Sequence, residues 1–394
     1  MRILLAWRAQ FTGCSGGMER VLTNMANAML SYGHKVAVMY CGEKKASPFF
    51  PISSQVKLYN MAASPYGQPY TMSSIDKLIK EMLRVYSKQK MFQWGGDRKN
   101  AFYQSAMLRI LNDVHPDVIV SFDPSTTIML RQNVKEIPMK HIVTMFHFPI
   151  SVALRYHSTD EERALVESGA VQVLTKSAKE ELISCFPDVR ALVIPNAVYS
   201  GQEGKSIEHK PPYLIGYMAR IDKVKQQHIA IEAFARLAPS FPDWNFELWG
   251  AYSALHPEYR AFLQNTIEKY HLERRVFLCG PASNAAEVYK KWDVLAFPSA
   301  REGFGLALAE GMSAGLPPVA FQSCVGASEL IEDGVTGLLA KDSIENFADQ
   351  LQILMSDPGL RRKIGSHARA AMQVYSPAIV WDQWNTLLTD ISRR

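Results

Sequence analysis

The stretch from Ser299 to Leu316 reads SAREGFGLALAEGMSAGL and follows the apolar run Val294–Phe297, which Pro298 ends. A short apolar run closed by a proline predicts a buried β-strand. Two glycines then loosen the backbone, and good helix formers follow from Leu306 onward. A strand, a glycine-bearing turn and a helix leave free N–H groups at the start of the helix. The sequence therefore predicts an anion site there.

Two carboxylates lie in this stretch, Glu302 before the predicted helix and Glu310 inside it. At about 1.5 Å rise per residue, the helical residues from 305 to 310 alone span roughly 7–8 Å. That distance is too great for two carboxylates to share a proton, but it allows them to hold opposite ends of a ligand whose phosphates lie at the helix start. A sugar nucleotide has this layout. The alternative is a solvated helix with two surface glutamates.

Glu302 and Glu310, separated by seven residues, resemble the paired glutamates of the family 4 glycosyltransferases, which are retaining enzymes of the GT-B fold. The resemblance implies an α/β chain with two Rossmann-like, doubly wound domains that face each other across a cleft. It also implies a C-terminal helix that crosses back to the first domain. In such an enzyme Glu302 would face the donor sugar and Glu310 would bond the ribose hydroxyls.

A second loop strengthens the resemblance. The apolar run Leu214–Met218 predicts a strand, and the segment from Ala219 to Gln226 follows it. This segment resembles the Gly-Arg-x-x-x-x-Lys-Gly loop of the family, in which the arginine and lysine hold the donor diphosphate. Arg220 and Lys225 stand at those positions, whereas alanine and glutamine replace the two glycines. A guanidinium can bind phosphate oxygens bidentately, and an ammonium neutralises the remaining charge.

The chain begins with a predicted strand, a glycine loop and a helix. Met1–Trp7 is apolar, the loop reaches Gly17, and Met18–Leu30 has helical periodicity. The loop lacks the G-x-G-x-x-G spacing of dinucleotide-binding proteins, but it resembles the family's Gly-Gly-x-Glu turn, which approaches donor phosphates and acceptor. Across the chain, the resemblance implies a set of donor-binding residues: Gly16, Gly17, Gly250, Pro281, Gly303, Phe304, Gly305, Leu306 and Glu310.

Two polar side chains follow predicted strands in the first half of the chain. Asp123 comes after the run Asp117–Phe122, and His147 comes after His141–Phe146. Ligands of open α/β sheets bind beyond the carboxyl ends of the strands, so both positions suit substrate contact. We predict Asp123 on the acceptor side. The family has a histidine that contacts the donor sugar at a position matching His147, although a lone histidine is more often structural.

The length of 394 residues predicts two domains. We predict an acceptor-binding domain at residues 1–198, a linker at 199–212, a donor-binding domain at 213–377, and a final helix at 378–394 that packs on the first domain. The composition, 47% hydrophobic and 21% charged, is typical of a soluble globular protein. Five scattered cysteines, no long apolar window and no signal peptide favour a cytoplasmic location with reduced thiols.

Charge is unevenly distributed along the chain. Residues 1–200 hold 23 Lys and Arg against 16 Asp and Glu, whereas the rest hold 20 against 22. A basic first half favours an acidic or membrane-surface partner. Within it, Ile75–Phe92 sets apolar residues on one helical face, with basic residues between them. This helix either packs in the core or lies on an anionic membrane or acceptor, with Lys80 and Arg84 as acceptor-side candidates.

The resemblance implies retaining transfer of a hexose from a nucleoside diphosphate sugar, with UDP favoured over GDP, to a hydroxyl of a glycan or glycolipid. The basic, partly amphipathic first half favours an acceptor of cell-envelope polysaccharide or lipopolysaccharide synthesis, at the inner face of the cytoplasmic membrane. The resemblance implies Glu302, His147, Arg220 and Lys225 as catalytic residues, with Glu302 orienting the donor sugar. No cofactor and no metal is expected, and the chain has no Asp-x-Asp, the metal-diphosphate motif of the other main glycosyltransferase fold.

Other functions remain compatible with these residues. A nucleotide-sugar epimerase or a phosphorylase would keep the fold, although a phosphorylase needs a pyridoxal lysine and a longer chain. A sugar-nucleotide-binding partner subunit without catalysis would keep the donor site alone. Nucleic-acid binding is disfavoured, because the basic helix has no recognised motif around it.

Overall fold

The computed structural model describes residues 1–43, 46–133, 137–153, 158–199, 210–253 and 255–394. The chain divides into two compact units, one formed by Met1–Pro195 with Val380–Arg394 and the other by Asn196–Ile379. Most of the predicted linker, residues 200–209, lies outside the described residues. No helix in the described ranges is long and apolar enough to cross a membrane.

The first unit is built on a parallel sheet of seven strands. They are β1 (Arg2–Gln10), β2 (Lys35–Cys41), β3 (Lys57–Asn60), β4 (Val118–Ser121), β5 (Ile142–Met145), β6 (Ala170–Val173) and β7 (Ala191–Val193). Their order in the sheet is β3-β2-β1-β4-β5-β6-β7, so the order reverses between β1 and β4. The central strands are almost entirely buried, which explains their continuous apolar sequence.

Helices connect these strands. They are α1 (Gly17–Ser31), α2 (Ser74–Tyr86), α3 (Lys88–Val114), α4 (Pro124–Asn133), α5 (Ile150–Ala153), α6 (Thr159–Glu167) and α7 (Lys176–Cys185), with a 3-10 turn at Met139–His141. The apolar periodicity of the first helix is confirmed, because Val21, Leu22, Met25 and Met29 are all buried.

The second unit has a parallel sheet of six strands in the order β10-β9-β8-β11-β12-β13. They are β8 (Tyr213–Met218), β9 (Trp244–Trp249), β10 (Val276–Gly280), β11 (Val294–Phe297), β12 (Pro318–Phe321) and β13 (Leu338–Ala340). Its helices are α8 (Gln227–Leu237), α9 (Glu258–Lys269), α10 (Ala285–Tyr289), α11 (Leu306–Ser313), α12 (Val325–Ser328), α13 (Ile344–Ser356) and α14 (Pro358–Ala371), with 3-10 turns at Lys223–Lys225 and Met372–Tyr375.

The last helix, α15 (Pro377–Ser392), returns the chain to the first unit, because the residues from Val380 onward cluster with that unit. The Oδ1 atom of Asn385 accepts a hydrogen bond from Nε2 of His34 over 2.7 Å, and Asp390 pairs with Arg190 at 3.0 Å. Trp381 and Trp384 of this helix are both buried.

The prediction of one helix over Ile75–Phe92 is wrong. Helix α2 ends at Tyr86, Ser87 has an extended backbone, and α3 begins at Lys88. The hydroxyl of Ser87 accepts a hydrogen bond from the N–H of Lys90, so this serine ends one helix and caps the next. The periodicity runs across the break because both helices are amphipathic.

The alternative in which this helix packs in the core is also wrong. The apolar side chains of α2 at positions 75, 78, 82, 85 and 86 are between 64% and 91% exposed. Helix α2 lies against α3 through its other side, where Asp76 is its one buried residue. Periodicity shows that an apolar face exists, but what covers that face is decided by neighbours far away in the sequence.

Candidate functional site

The second sheet reverses its strand order between β8 and β11, which is the position where open α/β sheets bind ligands. Two loops leave the carboxyl ends of these strands there. The loop of residues 219–226 follows β8, and the loop of residues 298–305 follows β11 and leads into α11. These loops carry six of the residues that the sequence predicts for the donor side: Arg220, Lys225, Glu302, Gly303, Phe304 and Gly305.

Tyr217 holds the two loops together. Its buried hydroxyl lies 2.7 Å from the hydroxyl of Ser299 in one loop and donates to the carbonyl of Lys225 in the other, at 2.9 Å. The N–H of Ala300 also donates to the carbonyl of Val224 over 3.0 Å. Burial raises the pKa of Tyr217 well above its usual value, so the hydroxyl keeps its proton and continues to donate.

Two of the predicted catalytic side chains form an ion pair across these loops. The Nζ atom of Lys225 lies 2.6 Å from Oε1 of Glu302, and the two side chains are only 18% and 13% exposed. Arg220 lies in the same loop as Lys225 but is 54% exposed, with its Nε atom 3.7 Å from Asp222. Lys225 is thus already neutralised by Glu302, whereas Arg220 is exposed and open to a ligand.

The start of α11 presents backbone N–H groups beside this pair. Gly305 precedes the helix with φ of 81°, a left-handed conformation that favours glycine, and it has no side chain to cap the helix. The ring of Phe304 is buried against Tyr375, whereas Gly303 and Leu306 are partly exposed. The geometry agrees with the anion site that the sequence predicts at this helix start.

Glu310 lies on the second turn of α11 and is buried. The hydroxyl of Tyr289, which follows β10, is 3.4 Å from Oε2 of Glu310 and donates to the carbonyl of Ala307 at 3.0 Å. The two glutamates therefore differ in setting. Glu302 is paired with a lysine, and Glu310 is enclosed beside a phenol hydroxyl.

Two further donor-binding candidates lie at the ends of β9 and β10. Gly250 has φ of 153°, and a Cβ atom at this position would lie 1.9 Å from the carbonyl oxygen of Ala219. Only glycine lets the loop after β8 approach the end of β9 so closely. Pro281 is exposed just beyond β10.

In the first unit, the predicted residues lie beyond the carboxyl ends of three strands. Gly16 precedes α1 in an extended conformation and Gly17 begins that helix, after β1. Asp123 follows β4, but its Oδ1 atom accepts a 2.6 Å hydrogen bond from the N–H of Thr126, so it caps α4. The acceptor-side role of Asp123 stays a prediction.

His147 lies beyond β5 with its ring stacked on Phe122, at 5.6 Å between centroids and 20° between planes. Burial lowers the pKa of His147 to about 4, so the ring is neutral at neutral pH. Its Nε2 atom is buried and makes no hydrogen bond with any residue in the described ranges. A neutral imidazole with an unused nitrogen suits contact with a sugar hydroxyl.

The two basic acceptor-side candidates lie on α2. Lys80 is partly buried, and Arg84 pairs with Glu81 at 3.2 Å on the surface.

Sequence reasoning missed two other features, the Lys225–Glu302 pair and a pair of cations in the first unit, Arg8 and Lys99. Their members are far apart in sequence, so no local pattern signals them.

Within the described segments, no group of three or more His, Cys, Asp or Glu side chains is arranged to hold a metal.

Family models match nearly the whole chain. Residues 15–200 match Glycosyltransferase Family 4, and residues 202–371 match Glycosyl transferases group 1. This chain is a glycosyltransferase with a family 4 domain and a group 1 domain. The predicted family, the transferase class and the GT-B fold are thereby confirmed.

Several relatives resemble this glycosyltransferase. An uncharacterized glycosyltransferase of Haemophilus influenzae is 23% identical over 95% of this chain and 97% of its own length. The lipopolysaccharide core biosynthesis mannosyltransferase LpsB of Rhizobium meliloti is 31% identical over 36% of this chain and 41% of its own. Among solved structures, sucrose-phosphate synthase from Thermosynechococcus elongatus has a TM-score of 0.78 at 18% identity over 98% of both chains. Anabaena HepE, in complex with UDP and glucose, has a TM-score of 0.70 at 19% identity over 99% of both.

Proposed function

We propose that this glycosyltransferase moves a hexose from a nucleoside diphosphate sugar to a hydroxyl of a glycan or glycolipid, with retention at the anomeric carbon. The observation that carries the proposal is the convergence of Arg220, Lys225 and the start of α11 at the reversal point of the second sheet. Two cations and a helix N-terminus are suited to a diphosphate. A UDP-sugar is favoured over a GDP-sugar, and the HepE neighbour was solved with UDP.

The proposed chemistry follows from these charges. The bond between the anomeric carbon and the diphosphate breaks, and the diphosphate leaves with the electron pair. Arg220, Lys225 and the N–H groups near Phe304 and Gly305 stabilise the growing charge, so that no metal is needed. The acceptor hydroxyl bonds to the same face of the sugar and gives its proton to the leaving phosphate. Glu302 orients the donor sugar in this scheme.

Other residues would hold the ends of the donor. Glu310 would bond the ribose hydroxyls, and the backbone near Gly250 and Pro281 would pack against the base. When phosphate oxygens reach Lys225, they compete with Glu302 for its ammonium, which frees the carboxylate to accept hydrogen bonds from the sugar. His147, neutral and with an unused nitrogen, would bond a sugar hydroxyl.

The experiment is donor hydrolysis across a panel of UDP- and GDP-hexoses, with a chelator present. We expect slow release of one nucleotide, unaffected by the chelator, and a loss of at least tenfold in Arg220→Ala. Arg274→Ala removes an exposed arginine elsewhere in the same unit and should keep the wild-type rate.

The alternatives give different outcomes in the same assay. Binding of a donor with no turnover by any hexose would indicate a non-catalytic partner subunit. A new epimer of the donor sugar, formed without acceptor, would indicate an epimerase. Activity lost in the chelator and restored by Mg²⁺ would overturn the metal-independent mechanism.

The acceptor is proposed to belong to cell-envelope polysaccharide or lipopolysaccharide synthesis. The support is a relative named for lipopolysaccharide core synthesis, together with the basic first half of the chain. The exposed face of α2 favours an acceptor at a membrane surface. A contiguous set of large exposed apolar side chains is typical of an interaction surface: Ile75, Leu78, Met82, Val85 and Tyr86.

We propose an anionic lipid surface at the inner face of the cytoplasmic membrane as the partner of this helix. Basic residues accompany the apolar face along α2 and the start of α3, at Lys77, Lys80, Lys88 and Lys90. Apolar side chains beside lysines are the pattern that binds the boundary of an anionic bilayer.

Sedimentation with vesicles tests this surface. The protein should sediment with vesicles that contain anionic lipid and much less with zwitterionic ones. Leu78→Asp with Met82→Asp should abolish sedimentation, whereas Val374→Asp, at an exposed valine of the second unit, should not. Equal sedimentation of all three proteins would remove α2 from the proposal. Unchanged activity on the true acceptor in a protein with Lys80, Arg84 and Lys88 all changed to Glu would also remove α2 from the proposal.

A further inference from the structure

Two cations lie close together beside the reversal point of the first sheet. Arg8 is near the carboxyl end of β1, and its backbone N–H donates to Thr126 at the start of α4 over 3.1 Å. Lys99 comes from α3, and its Nζ atom donates to the carbonyl of Arg8 over 3.2 Å. The reversal point between β1 and β4 is where an open α/β sheet binds its ligand.

A chain of hydrogen bonds fixes the guanidinium of Arg8 without neutralising it. Its Nη1 atom donates to the amide oxygen of Asn100 at 2.7 Å. Asn100 is buried, and its own amide donates to Gln132 at 2.9 Å, which in turn donates to Asp97 at 3.1 Å. The acidic group thus lies at the far end of the chain, two amide side chains away from Arg8.

Neither cation has a carboxylate partner within ion-pair distance in the described part of the chain. Lys99 is partly buried, and burial together with the charge of Arg8 lowers the pKa of Lys99. The nearby Asp123 favours the ammonium, but one of its oxygens already accepts from the N–H of Thr126. Holding two partly buried like charges together destabilises the unliganded protein, and an anion would relieve that cost.

We propose that Arg8 and Lys99 bind an anionic group, a phosphate or a carboxylate, that the acceptor carries. That the anion belongs to the acceptor rests on the proposed function, whereas the anion site itself rests on the geometry of the first unit alone. The Nε and Nη2 atoms of Arg8 are left to bind two oxygens of one anion, and Lys99 has two further N–H groups to give. The enzyme would then discriminate against neutral sugars that lack this group.

Gly96 of α3 lies beside the guanidinium of Arg8. A Cβ atom on Gly96 would come within 4.0 Å of Nη2 of Arg8, which is an ordinary van der Waals contact.

Calorimetry with small probes tests the site without needing turnover. All proteins carry Arg220→Ala, so that the exposed cation of the second unit does not contribute to the signal. The probes are glucose 6-phosphate, glucuronate and glucose. We expect one or both anionic sugars to bind and glucose not to bind. Lys99→Gln and Arg8→Gln should each weaken that binding at least tenfold, and Lys57→Gln, at an exposed lysine of β3, should leave it unchanged.

The preference between the two anionic probes then distinguishes phosphate from carboxylate. Circular dichroism verifies folding, and if Arg8→Gln does not fold, Lys99→Gln alone decides. Equal binding in the Arg220→Ala parent and in a folded protein that also carries Lys99→Gln, or no binding of either anion, would overturn the proposal. Failure of donor hydrolysis would overturn the proposed function instead, because the probes bind without a donor.

Discussion

Glycine at position 326 shows how one missing atom sets the path of the loop that carries Glu302. A Cβ atom there would lie 2.4 Å from the carbonyl oxygen of Glu302 and 2.8 Å from its carbonyl carbon. Both contacts are to backbone, which cannot swing away as a side chain can. The loop that carries Glu302 can therefore approach α12 only because this residue is glycine.

We expect Gly326→Ala to displace Glu302 and to lower transferase activity at least tenfold, because catalytic groups tolerate little displacement. Gly95→Ala is the matched control, since a methyl group there meets nothing within 4 Å. The measurement is the rate of donor hydrolysis with thermal melting in parallel. Wild-type activity in Gly326→Ala would show that this contact does not position Glu302.

His147 predicts a pH dependence of stability. Its pKa falls from the usual 6.5 to about 4 in the folded protein, so the unfolded chain binds more protons between these values. The contribution of the neutral ring to the free energy of unfolding is present above pH 6.5 and is lost as the pH falls towards 4. In denaturant titrations, the wild type should lose up to about 3 kcal/mol relative to His147→Phe between pH 7.5 and 4. Parallel pH profiles for the two proteins would contradict this expectation.

At the scale of elements, α2 is attached to its unit by polar contacts more than by apolar burial. Ser73 and Asp76 form a capping box at its start, and Asp76 also accepts a 2.7 Å hydrogen bond from Arg98 of α3. The bond from Arg98 holds the pKa of Asp76 below its usual value. An element with so few buried apolar contacts opens more readily than the sheet that it covers.

Removing that attachment should therefore loosen α2 alone. In Asp76→Ala, amide hydrogen exchange should rise severalfold in residues 74–86 and stay unchanged in β1 and β4. Glu81→Ala is the control, because Glu81 makes only a surface pair with Arg84 at 3.2 Å. Unchanged exchange in α2 would mean that its contacts with α3 hold it without the carboxylate.

At the scale of the whole molecule, the ends of the chain belong to the same unit. Helix α15 places Ile391 over Gly169, where a Cβ atom would lie 2.8 Å from Cδ1 of Ile391 and 2.0 Å from the carbonyl oxygen of Lys140. Ile391 and Leu388 are fully buried. The last fifteen residues thus belong to the first unit, and their buried side chains join its core.

Ile391→Ala should destabilise the first unit by about 2–5 kcal/mol, the usual cost of truncating a buried aliphatic side chain. Hydrogen exchange should accelerate in β5 and β6 but not in β11 and β12, because Ile391 clusters with the first unit. Ile379→Ala, at an exposed isoleucine of the same helix, should have little effect on either sheet. Acceleration in both sheets would show that the two units do not unfold separately.

The sequence by itself determined the architecture and the two loops at the reversal point of the second sheet. Apolar runs ended by proline or glycine marked β8, β11 and their loops, and the spacing of Glu302, Glu310, Arg220 and Lys225 identified the family. These features are local, because the hydrophobic period, the turn residues and the motif spacing each extend over no more than a few tens of residues. The short edge strand β3 was missed because its four residues lie in a segment without clear alternation.

Only the tertiary structure decided which side chains meet and which faces stay open. Lys225 and Glu302 are 77 residues apart, and Lys99 reaches Arg8 across 91 residues. The apolar face of α2 was visible in the sequence, but its exposure depends on how α2 lies against α3. Contacts between distant residues are set by the order of strands in the sheet and by the packing of helices on it. No local pattern encodes that order, because each element's sequence specifies its own faces but not the neighbour that covers them.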